Sequence, residues 1–162
     1  MRKDYYKEAE ALIDNILYVN ENTIARAEAT CDADLMAYAR AAEYYLELIA
    51  KCIYCCGHHS GVMDMKIKNE KDDARNGIET RADVHAAEDA DKMWAERHNN
   101  TVTTAKRHIN YVLTLCSRDG SPLRDLTDDM RQLERYTGRM QKDLAEKRER
   151  LKKLRMKRVA KG

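Results

Sequence analysis

The sequence predicts an all-α protein: an antiparallel bundle of four to five helices ending in a long basic helix that carries a heptad. Three observations predict it. The 162 residues include six Gly, one Pro and no Phe, and the long stretches between are built from Ala, Leu, Met, Glu, Lys and Arg, which lose little side-chain freedom in a helix. Apolar residues recur at three- and four-residue spacing through most of the chain. The charge is uneven, because Lys142 to Gly162 carry ten Lys or Arg against three acids, so a whole-chain net of +2 leaves −5 for residues 1–141.

Tyr6, Ala9, Leu12 with Ile13, and Ile16 with Leu17 mark an amphipathic first helix from about Asp4 that runs on through Ile24 and Ala27. Asp32 is placed to cap a second helix, whose apolar stripe runs Leu35, Tyr38, Ala42, Leu46, Ile49, Ile53 and Cys56. Gly57-His58-His59-Ser60-Gly61 is expected to end it. Residues 65–80 are rich in charge and contain Asn76-Gly77, which predicts a marginal helix or loop. A third helix resumes near Glu79, meets His98-Asn99-Asn100-Thr101 as a kink or restart, and continues through Val102, Ile109 and Cys116.

Ser117 to Pro122 is the clearest break, with Ser121 placed to cap and Pro122 at a first helical position, where its missing N–H costs nothing. This divides the chain into a bundle, 1–121, and a long helix, 122–162. The seam of that helix is Leu126, Met130, Leu133, Met140, Leu144, Leu151 and Leu154, interrupted by Thr137 and Lys147. Helical from Pro122 to Lys161, it would be about 60 Å long. That exceeds what a compact bundle covers, so its first half should pack on the bundle or a partner and its basic second half should project. Parallel self-pairing is disfavoured, because Asp129 would oppose Glu134 and Arg150 would oppose Arg155; an antiparallel homo-oligomer stays open.

No apolar run approaches the roughly 20 residues of a membrane span, and the opening residues lead into a charged helix without a signal-peptide core. A cytoplasmic protein without membrane contact follows, its five cysteines reduced. Cys52, Cys55, Cys56 and His59 form the densest set of metal-ligand types, but structural zinc draws on two separated ligand pairs and no second pair exists. Cys52 and Cys56 extend the apolar stripe instead, and no metal or cofactor is expected. His85, His98 and His108 are scattered, and neither a Gly-rich phosphate loop nor a nucleophile elbow is present, so enzymatic activity is not expected.

The functional expectation rests on charge. Lys142, Lys147, Arg148, Arg150, Lys152, Lys153, Arg155, Lys157, Arg158 and Lys161 surround the last helix, which suits phosphate contacts. The absence of aromatics beyond Tyr136 argues against base stacking from this segment. The sequence thus points to a non-enzymatic accessory protein holding RNA or DNA, beside a protein partner, in a nucleoprotein assembly. The alternative is a protein-interaction module, such as a small phage-type inhibitor of a nucleoprotein machine or an assembly scaffold, whose acidic body meets a basic partner.

Overall fold

A computed structural model describes residues 4–73 and 81–161, apart from the side chains of residues 73, 81–84 and 158–161. The described chain is all helical: α1 (Tyr5–Thr30), α2 (Ala33–Asp73), α3 (Arg81–Ser117), a 3-10 turn at Arg124–Leu126 and α4 (Thr127–Lys161). Asp4 caps α1 by accepting the Lys7 N–H, and Asp32 caps α2 by accepting the Leu35 N–H. Between them Cys31 takes the left-handed conformation that closes α1, with φ of 52°. This tight turn makes α1 and α2 antiparallel, and Asn20 Nδ2 donates to the Ala39 carbonyl across their interface at 2.9 Å.

Helix length then sets the architecture. At 1.5 Å per residue α1 spans ~39 Å, whereas α2, α3 and α4 span ~61, ~55 and ~52 Å. Four helices therefore form a body, beyond which α2, α3 and α4 continue as a three-helix extension. The body core includes Ile13, Ile16, Leu46, Ile49, Ile109, Met130 and Leu133, all fully buried. The extension has its own smaller core of Met63, Ile67, Ala95, Leu144 and Leu151, with Trp94 and Leu154 packed against it.

This architecture corrects several sequence expectations. Gly57 to Gly61 do not end α2, which passes through them to Asp73. Two glycines cost about 2 kcal/mol of helix propensity, but stopping there would forfeit the burial of Met63 and Ile67. Residues 65–73 are accordingly helical, and Asn76-Gly77 lies outside the described residues. His98 to Thr101 do not restart α3, which runs unbroken from Arg81 to Ser117; Thr101 Oγ1 donates to the Arg97 carbonyl within that helix. Ser121 accepts the Leu123 N–H in a turn rather than capping α4, which starts at Thr127.

The rear half of α4 does not project as far as Arg155. α2 and α3 are at least as long as α4 and accompany it. Leu126, Met130, Leu133, Met140, Leu144 and Leu151 are buried and Leu154 is half-buried, so the heptad seam is filled by this chain's own helices.

Candidate nucleic-acid interface

α4 holds thirteen Lys or Arg against six Asp or Glu, while α1 holds two against five, so the molecule is electrically polar from one helix to another. Packing sorts the cations of α4 into three groups. Lys147 and Arg155 point inward. Lys147 Nζ meets Asp64 at 3.0 Å, Asp143 at 3.1 Å and the Ser60 hydroxyl at 2.6 Å. Arg155, 4 % exposed, is paired with the buried Asp91 and lies near Glu70, and Lys66 closes the set with a 2.9 Å contact to Asp91. These two cations serve the fold and are not free for phosphate, a correction to the sequence expectation.

Arg148 and Lys152 are half-buried on the flank of α4. Lys152 lines a shallow pocket with Glu88 of α3 and Glu149. Lys142, Arg150, Lys153 and Lys157 are exposed, and the side chains of Arg158 and Lys161 lie outside the described residues. The exposed group does not begin at Lys142. Arg131, Arg135 and Arg139 are exposed on the same outward side, at spacings of four, four and three residues leading to Lys142. Sequence reasoning missed them by following charge density instead of helix phase.

The stripe from Arg131 to Lys157 covers 26 residue steps, about 39 Å of helix. It is interrupted between Lys142 and Arg150, where Glu146 and Glu149 are the exposed charges. Arg131 also contacts Glu134 at 3.6 Å, and the Arg139 guanidinium lies 4.6 Å from the Tyr5 ring centre, which steadies it without covering it. No aromatic residue of α4 lies on the stripe, so its attraction for a partner comes from its cations.

A polar layer separates the two cores. Tyr6 donates its hydroxyl proton to Asp143 at 2.9 Å, and burial together with that carboxylate holds the phenol far above its ordinary range. His98, fully buried, donates from Nε2 to the Met140 carbonyl at 2.9 Å, which leaves its buried Nδ1 unprotonated and without a partner. His59 lies 5.7 Å away, ring centre to ring centre, with its own Nδ1 unpartnered, and packs on Trp94 at 5.3 Å. Burial keeps both imidazoles below their ordinary pKa.

The candidate metal set does not converge. Cys55 is exposed and Cys52 half-buried, while Cys56 and His59 are buried. Burial pushes the Cys56 thiol up to about 12, and the Cys52 thiol also rises, so neither offers a thiolate near neutral pH. Among the described residues no three His, Cys, Asp or Glu side chains gather as a metal-holding group, and no helix is long and apolar enough to cross a membrane. Comparison with protein-family models, curated proteins and solved structures gives no match.

Proposed function

We propose that this protein is a non-enzymatic, cytoplasmic accessory factor of a nucleoprotein assembly that holds nucleic acid by its phosphates along the outer face of α4. One observation carries the reading: seven exposed Lys or Arg share one side of a helix packed along its inner side, with Glu146 and Glu149 the only exposed acids between the first and the last. Fixed cations release condensed counterions from a polyanion without paying to order a loose tail, and affinity then falls steeply with salt.

The test compares two variants by affinity at several salt concentrations. Replacing Arg135, Arg139, Lys153 and Lys157 by Gln leaves every internal ion pair in place and should lower the salt slope on duplex by about 3 to 4, at roughly 0.9 per contact. Lys152→Gln, on the flank, should change it far less. Unchanged affinity in the four-fold variant would refute the reading.

A second reading, as a protein-interaction module, has its own observation. Tyr44 and Tyr111 are 61 % and 39 % exposed beside Tyr45, whose ring lies 4.0 Å from that of Tyr111, and His108 completes the group. Tyrosines so arranged resemble the anchors of protein interfaces. A partner whose capture is lost in Tyr44→Ala and Tyr111→Ala but kept in the four-fold variant would favour this reading.

A further inference from the structure

Resting on the phosphate-binding reading of α4, we infer that the ligand is double-stranded, B-form DNA, gripped with α4 lying across the major groove so that its two cationic groups meet the two backbones.

The inference comes from rigidity, spacing and the acidic interruption. Met130, Leu133, Met140, Leu144 and Leu151 hold the inner side of α4 along its length, so the outward cations form a straight array that cannot follow a coiling strand. A straight array matches only a stiff polyanion. A flexible single strand would have to be ordered against it, and the stacking that rewards such ordering needs aromatic side chains that the stripe lacks.

The array is also divided. Arg131, Arg135, Arg139 and Lys142 cover about 16 Å, and Arg150, Lys153 and Lys157 about 10 Å, at 1.5 Å per residue. Between Lys142 and Arg150 lie about 12 Å, close to the width of the B-DNA major groove. Glu146 and Glu149 occupy that interval, where carboxylates would repel a phosphate but face none if a groove lies beneath them. A-form RNA presents a deep, narrow major groove instead, so the same spacing does not fit it.

The experiment measures binding of the full chain to four probes at one moderate salt concentration: a 20-base-pair DNA duplex, a 6-base-pair DNA duplex, either single strand and the matching RNA duplex. The long DNA duplex should bind tighter than the single strand and the RNA by about tenfold or more, a difference of ~1.4 kcal/mol. The 6-base-pair duplex should bind much more weakly, since it spans only about 20 Å at 3.4 Å per pair. Replacing Arg150, Lys153 and Lys157 together by Gln should abolish the preference for DNA duplex, whereas independent charges would lose affinity equally on all probes. Equal or tighter binding of single strand or RNA overturns the duplex inference and leaves phosphate binding standing. Binding to none of the probes at that salt concentration overturns both.

Discussion

The body and the extension use the same helices for different kinds of packing. In the body four helices surround a core of aliphatic side chains; in the extension three helices bury few of them and also enclose Asp91, Glu70 and Arg155, with Lys66 partly covered. Without a fourth helix there is less apolar surface to remove from water, so hydrophobic stabilisation is smaller there. The far end is held instead by charges whose benefit depends on every partner being present. Cooperative stability should therefore reside in the body, and the extension should open first.

The largest effect should come from Asp91→Ala, which leaves Arg155 and Lys66 facing each other without their shared carboxylate. Breaking a buried pair costs about 3–5 kcal/mol. Hydrogen exchange should show protection lost around Ala95 and Leu151 while that of Val102 to Cys116 persists. Equal acceleration in both regions would show one cooperative unit and end the distinction.

Large-to-small changes sharpen it. Leu133→Ala in the body and Leu151→Ala in the extension each remove a fully buried side chain, at about 2–5 kcal/mol. Thermal unfolding followed by circular dichroism should record the Leu133 loss in the main transition. The Leu151 loss should appear as an early, separate change in Trp94 fluorescence.

Acid acts on the layer between the two regions. His59 and His98 are held below the ordinary imidazole pKa mainly by burial, and positive neighbours (Arg97 beside His59, Lys147 beside His98) oppose protonation further, while Asp143 and the Met140 carbonyl favour it at His98. The unfolded chain thus takes up protons first as pH falls. Their stabilising contribution is complete above about 6.5 and declines as pH drops through the depressed folded values. Stability measured against pH should fall below 6.5, and His98→Gln, which keeps a donor for Met140, should flatten that fall. An unaltered profile would place the acid sensitivity elsewhere.

The smallest effects concern two glycines. A Cβ at Gly61 meets nothing within 4 Å, so Gly61→Ala should stabilise the extension by about 1 kcal/mol. A Cβ at Gly57 would lie 3.2 Å from a Glu10 carboxylate oxygen, so Gly57→Ala should gain less. Denaturant midpoints distinguish them.

Much of this was legible in the sequence. The stripes Ile13 with Ile16 and Leu46 with Ile49 predicted helices that bury those residues, and Asp32 predicted a cap that forms. Local signals failed where tertiary burial outweighed them, as at Gly57 to Gly61. The inward place of Lys147 was legible from its seam position and from Asp143 four residues before it, whereas that of Arg155 was not, because its acid Asp91 sits on another helix, more than sixty residues away. Arg131, Arg135 and Arg139 could have been found by placing Lys142 on a helical wheel.

The Asp143 carboxylate has a consequence for how the helices slide. A heptad seam is nearly self-similar, so α4 shifted along its axis by seven residues would still present Leu or Met to most of the same neighbours. Asp143 prevents this indifference, since its carboxylate accepts from the Tyr6 hydroxyl of α1 at 2.9 Å and from the Ser60 hydroxyl of α2 at 3.1 Å. Arg155, twelve residues on, repeats the demand at Asp91. Two fixed points on one rod set its axial register as two pins fix a ruler, and buried polar contacts are best attested in that role. The register in turn fixes which cations lie beside the body and which beside the extension, so a seven-residue deletion between Asp143 and Arg155 would preserve the apolar seam yet force the protein to give up one pin.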